Sequence, residues 1–216
     1  MQVSYGGGDP SYRGMNYYPL YDYASQGAGA RLKIDPFGTV AGAQWTVENT
    51  VEEAVLTEDE YIKIARDFLA TVVYDIDQFE VISCGEFESG WKPSGYLVRF
   101  CRYVDGMKTT ELANIEMTYD GRLSNYFSYM LNQIPKDTKN PFDMEEVKAK
   151  VEAYIAEKTA IKKEQYDEVN CTYEYQLTML ADGNPAIYCE VVMKCINHHT
   201  DDYYEVTGEL IELVIQ

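Results

Sequence analysis

The sequence predicts an α+β fold: two tandem units, each one helix packed on a three- to four-stranded antiparallel meander, with an N-terminal arm and hairpin in front. Three observations predict it. Asp105-Gly106 and Asp182-Gly183 are tight-turn dipeptides between strand-like runs, and Asp-Gly favours the turn whose twist matches antiparallel strands. Each lies downstream of an amphipathic helical segment. A polar stretch with Pro135, residues 132–140, separates the two. A repeat on this scale bounds the architecture before residue chemistry is considered. The expected division is residues 1–50 as arm and hairpin, 51–136 as the first unit and 137–216 as the second.

Residues 1–30 contain Gly6, Gly7, Gly8, Gly14, Gly27 and Gly29 and six tyrosines, and read as an irregular lead-in. The glycine triplet is not followed by Lys-Ser or Lys-Thr, so it is no phosphate loop. Leu32 and Ile34 then alternate with polar residues. Asp35-Pro36-Phe37-Gly38 reads as a type I turn, and Val40 and Trp45 lie on a second, weaker strand. This hairpin is expected to be the tail of an earlier unit.

Thr57-Glu58-Asp59-Glu60 is a capping box, in which Thr57 and Glu60 satisfy each other's end donors. Tyr61, Ile62, Ala65, Phe68, Leu69, Val72 and Val73 follow as one apolar stripe at helical spacing. Strands are expected at 79–84, 95–104, 109–119 and 123–130, with residues 86–94 as an extra loop. Asp143 and Glu146 stand in capping-box spacing at the head of a second helix, whose stripe is Met144, Val147, Val151, Tyr154 and Ile155. Strands at 170–180, 185–195 and 203–215 complete the second unit. Ile187, Cys189, Val191, Met193 and Cys195 alternate along the middle one as an apolar face.

Composition narrows function. The chain has 216 residues, 46% of them apolar, which is ample for a core. Net charge is −18, which opposes binding to nucleic-acid phosphates and to an anionic membrane surface. Residues 1–50 carry four acids (Asp9, Asp22, Asp35, Glu48) against three bases (Arg13, Arg31, Lys33), so nearly all the negative charge belongs to the rest. No apolar run is long enough to span a bilayer, and Met1 is followed by neither a basic nor an apolar segment. The expectation is therefore either a cytosolic protein or an excised piece of a longer exported chain.

No chemistry stands out. His198-His199-Thr200-Asp201-Asp202 brings both histidines to carboxylates, but neighbours on an extended segment point to opposite faces, which disfavours a shared metal. Cys84, Cys101, Cys171, Cys189 and Cys195 form no CxxC and have no base nearby in sequence, so they read as apolar thiols. Ser4, Ser11, Ser25, Ser83, Ser89, Ser94, Ser124 and Ser128 occur in no Gly-x-Ser-x-Gly context. Asp75 with Asp77, and Glu86 with Glu88, are pairs expected by chance among 36 acidic residues. Twenty tyrosines are more unusual, with Tyr12, Tyr17, Tyr18, Tyr21 and Tyr23 the densest group; tyrosine suits recognition surfaces. The expected site list is empty for catalysis, cofactor and metal, and the expected cofactor is none.

The run Gly95-Tyr96-Leu97-Val98-Arg99-Phe100-Cys101-Arg102-Tyr103-Val104-Asp105-Gly106-Met107, continuing through residues 115–123, resembles the tandem PepSY-like proteins of Gram-positive bacteria. Tyr175-Gln176-Leu177-Thr178-Met179-Leu180-Ala181-Asp182-Gly183-Asn184-Pro185-Ala186-Ile187-Tyr188 is the matching stretch of the second unit. The resemblance spans roughly residues 51–216 and leaves the first 50 unexplained. It implies a non-enzymatic, extracytoplasmic binding or regulatory module, acting on a protein, a peptidase or a cell-envelope component. Exposed sheet edges or sheet faces would be its docking surfaces. The competing expectation is a sensor of a small molecule or cation, using a pocket between helix and sheet.

Overall fold

The computed structural model describes residues 2–6, 20–24, 30–34, 39–89, 92–129, 131–180, 182–200 and 203–215. Its elements, in order, are β1 (Gln2–Gly6), β2 (Leu20–Ala24), β3 (Ala30–Ile34), β4 (Val40–Trp45), α1 (Glu58–Leu69), β5 (Phe79–Ser89), β6 (Lys92–Val104), β7 (Met107–Met117), β8 (Leu123–Tyr129), α2 (Met144–Lys162), β9 (Glu168–Met179), β10 (Pro185–Thr200) and β11 (Tyr203–Ile215). A 3-10 turn, Ile76–Gln78, precedes β5.

Both helices start where their caps dictate. Thr57 accepts from the Glu60 backbone while the Glu60 side chain takes the Thr57 N–H, a complete capping box. At α2 the Asp143 side chain accepts from the Glu145 N–H instead. Glu146, the expected reciprocal partner, is bridged to Lys150 at 2.7 Å.

Two separate helix-on-meander units are not what forms. Strands dominate, and all eleven belong to one mixed sheet, ordered β1-β2-β3-β4-β8-β7-β9-β10-β11 with β5 and β6 branching from β7. The cause lies in strand length. β7 has eleven residues and β8 has seven, so β8 pairs with β7 only from Leu112 onward. The first part of β7 keeps an open edge, and β9 docks there in parallel at Thr109↔Leu177. Beside this seam Thr110 Oγ1 and Thr178 Oγ1 are 3.0 Å apart and buried. The other edge of β8 takes β4, which carries β3, β2 and β1 with it.

The hairpin expected to be a remnant of an earlier unit is therefore part of the same sheet. Ala43 is buried in the core under α1, and Trp45 packs edge-on to Phe68 at 5.6 Å. The lead-in includes two paired strands, β1 and β2, rather than irregular chain throughout. The turn expected at residues 35–38 lies outside the described residues. Within the extra loop expected at 86–94, the described residues 86–89 and 92–94 are strand: β5 and β6 stay paired from Glu86↔Tyr96 to Ser89↔Lys92. Likewise β10 runs through His198, beyond the strand end expected at 195.

The Asp-Gly turns are not equivalent either. Asp105 and Gly106 both have positive φ, 50° and 75°, closing a two-residue hairpin between Val104 and Met107. At Asp182-Gly183 only the glycine does, and Gly183 N–H donates to Leu180 O while Leu180 N–H donates to Asn184 O. The same two bonds at the same spacing join Gly121 to Thr118 and Thr118 to Arg122. The second turn thus matches Asp120-Gly121 rather than its supposed counterpart.

The core lies on one face of the sheet. Tyr61, Ala65 and Leu69 of α1 are fully buried against Val98, Phe100, Ala113, Ile115 and Met117. Tyr61 stacks on Tyr96 with ring centroids 3.9 Å apart. α2 rests more lightly: Val147 and Val151 are its buried residues, over Leu177, Ile187, Cys189 and Val191. A buried clasp joins the two regions. Arg102 reaches Glu111 Oε2 at 3.1 Å, the Ile134 carbonyl at 2.6 Å and Gln78 Oε1 at 2.7 Å. Glu111 Oε1 accepts from the Ile134 N–H at 2.7 Å. The connection from β8 to α2 is thereby tied to the sheet.

Candidate functional site

Side chains alternate along a strand, so the face opposite α1 can be read from the register. One row runs from β2 to β6: Asp22, Lys33, Gly42, Phe127, Asn114 and Arg99 stand opposite one another in turn. A second row is Arg31, Gln44, Asn125 and Glu116. Between β3, β4 and β8 these rows form a groove of about 430 Å³.

Its floor is low at Gly42, where a Cβ would lie 3.4 Å from both Lys33 Cδ and the Tyr126 carbonyl. Phe127 and Tyr129 form an aromatic step at one end, ring centroids 6.0 Å apart and nearly perpendicular. Arg31 and Lys33 are exposed on the opposite side, while Asn125 is half-buried and donates to Glu116 Oε2 at 3.2 Å. In a chain of net charge −18, this face gathers Arg31, Lys33 and Arg99. Such a surface offers cations, amides and aromatic edges, the groups that grip an extended polar or acidic chain. Among the described residues lining the groove there is no histidine, cysteine or paired carboxylate, so no nucleophile or general base of those types is assembled there.

No protein-family model, curated protein or solved structure matches this chain.

The PepSY-like resemblance accordingly rests on the residues quoted for it, and the tandem helix-on-meander fold it implied is replaced by the single sheet. The candidates considered from the sequence are scattered. His198 Nε2 is 3.0 Å from Glu168 Oε1, and its backbone N–H donates to Asp167 Oδ2 at 2.7 Å. The side chain of His199, and residues Asp201 and Asp202, fall outside the described side chains. Among the described residues no three His, Cys, Asp or Glu side chains cluster for a metal.

Cys101, Cys189 and Cys195 are buried and Cys84 and Cys171 half-buried, all as free thiols. Burial pushes the Cys84, Cys101 and Cys189 thiols up to about 11. Ser128 Oγ donates to the Ala41 carbonyl, fastening β8 to β4. Asp75 is 3.7 Å from Lys136. Glu86 lines an open acidic hollow with Glu52 and Glu53, and the Glu88 side chain is outside the described set. Tyr21 and Tyr23 lie on β2, while Tyr12, Tyr17 and Tyr18 are outside the described residues.

The groove was missed from sequence because it needs β3 and β4 beside β8, a pairing across more than 80 positions. One signal was present: Arg31 and Lys33 alternate with Leu32 and Ile34, within the first 50 residues, which carry little of the negative charge. Among the described residues no helix is long and apolar enough to cross a membrane.

Proposed function

We propose that this chain is a non-enzymatic binding or regulatory module, acting outside the cytoplasm on a protein, peptidase or cell-envelope partner. One observation carries the reading: the groove between β3, β4 and β8 gathers Arg31, Lys33, two amides and the Phe127–Tyr129 step on a sheet face that bears neither helix. The partner it suits is an extended, acidic or amide-rich segment, held by the cations and lying across the aromatic step. The extracytoplasmic placement comes from the PepSY-like resemblance alone.

The sensor alternative needs space between helix and sheet. Under α1 that space is filled by Tyr61, Leu69, Phe100, Ile115 and Met117, each fully buried.

The test is affinity capture from a cell-envelope fraction with the whole chain, comparing wild type with an Arg31→Glu, Lys33→Glu variant. Both side chains are exposed, so folding is expected to be unchanged by circular dichroism. A partner retained by wild type and lost with the reversed charges supports the reading. Equal capture by both, or hydrolysis of a broad ester and peptide panel by the pure chain, contradicts it.

A further inference from the structure

We infer that β11 is a dimerisation edge, pairing antiparallel with β11 of a second copy about a two-fold axis through Leu210. Among the described residues β11 pairs with β10 alone and ends the sheet. Its pairing with β10 runs without a bulge from Ile187↔Ile215 to His198↔Tyr204. Natural edges are commonly blunted by bulges, charges or short length. The β5 edge has two register breaks, at Val81/Ser83 and Phe87/Glu88; β11 has none along this run and is thirteen residues long. On its helix-free face it exposes Val206, Leu210 and Val214 at 42%, 58% and 45%, beside Val192 on β10 at 43%.

The sequence of β11 is self-complementary in one register. With Leu210 opposite its own copy, Val206 faces Val214, and the three glutamates Glu205, Glu209 and Glu212 face Ile215, Ile211 and Gly208. No glutamate opposes another. Sliding by one face-preserving step sets Glu209 against its copy in one direction and Glu212 against Leu210 in the other. Like charges directly opposite destabilise a strand pair, so the first of these shifts is disfavoured; in the second, Leu210 no longer meets its own copy and Val206 loses its match with Val214.

Charge complementarity points to a second copy rather than to an unrelated strand. Lys194 on β10 is exposed, stands opposite Gly208, and makes no ion pair among the described residues. Gly208 does not have a positive φ, and a Cβ there would meet nothing within 4 Å. Its own backbone and neighbours therefore leave room for a side chain, and its absence leaves the helix-free face open beside Lys194. In the paired register the second copy's Glu212 lies across Gly208, in line with Lys194. Two strand spacings, about 9.6 Å, separate their Cα atoms, and the missing side chain leaves the path between them open. Glu212 accepts from the Tyr188 hydroxyl at 2.6 Å, and a carboxylate has acceptor capacity for a lysine as well. On the opposite face Glu209, which approaches its own copy diagonally, is neutralised by Lys162 at 2.6 Å.

Sedimentation equilibrium of the whole chain tests this. The expected result is a monomer–dimer equilibrium whose dissociation constant rises at least tenfold in Leu210→Arg and in Lys194→Glu, and recovers in Lys194→Glu, Glu212→Lys. Oxidised Leu210→Cys should give a 210–210 disulfide by peptide mass spectrometry. A chain that stays monomeric up to about 1 mM overturns the inference and leaves the edge to a strand from another protein. A dimer indifferent to both single variants overturns it as well. Leu210 and Lys194 are exposed, so at least one variant is expected to fold.

Discussion

Arg102 Nη1 lies 3.1 Å from Glu111 Oε2, and the two side chains are 5% and 1% exposed. Burial pushes the Glu111 carboxyl up, against the opposing pull of Arg102. Breaking such a pair leaves a charge buried alone and costs about 3–5 kcal/mol, whereas replacing both members with apolar residues is far milder. Arg102→Met should therefore destabilise the chain strongly in urea, and the Arg102→Met, Glu111→Leu double variant should recover a good part of the loss. Recovery stays partial, because the Ile134 and Pro135 carbonyls also lose a donor. Strictly additive effects would mean that the two groups do not act as a pair.

Asp120 sets an acid-sensitive step. Its carboxylate accepts from Thr118 Oγ1 at 2.5 Å and from Arg122, and these bonds lower it from 3.8 to about 2. A carboxylate with a lowered folded pKa contributes stability that is complete above its unfolded value and disappears as pH falls through the folded one. The stability difference between wild type and Asp120→Asn should thus be largest above pH 3.8 and shrink as pH approaches about 2. Urea titrations of both proteins across that window measure it; a constant difference would refute the assignment.

The capping box at α1 predicts a smaller loss. Thr57→Ala removes the acceptor for the Glu60 N–H and should cost about 1 kcal/mol. The denaturation midpoint should fall with an unchanged slope.

Thiol chemistry provides a probe of packing. Cys101 and Cys189 are buried and hold their protons to about 11. In native protein near neutral pH they should react with a disulfide reagent far more slowly than in urea, with labelling sites mapped by mass spectrometry. Fast native labelling at either position would show that the sheet opens there.

The elements themselves were largely legible. Thr57 and Glu60 announced α1, and the alternation of Ile187, Cys189, Val191, Met193 and Cys195 announced β10 and its buried face. What could not be read was how strands meet across long separations. The parallel contact of Thr109 with Leu177 leaves no periodicity in either strand. The antiparallel docking of Gly42 against Phe127 leaves none either. Two Asp-Gly dipeptides suggested a repeat because the dipeptide is the same, but Asp105 adopts positive φ and Asp182 does not. The groove inherits this limit, since it exists only once β4 has found β8.

The most direct test of the proposed function is photo-crosslinking in cells. p-Benzoylphenylalanine would replace Phe127 in the groove and, as a control, Tyr74, which is 79% exposed outside the groove. The account predicts a discrete crosslinked partner from position 127 that is absent from position 74 and lost when Arg31 and Lys33 are reversed to Glu. Crosslinking that is equal from both positions, or absent from 127 while present at 74, would contradict it.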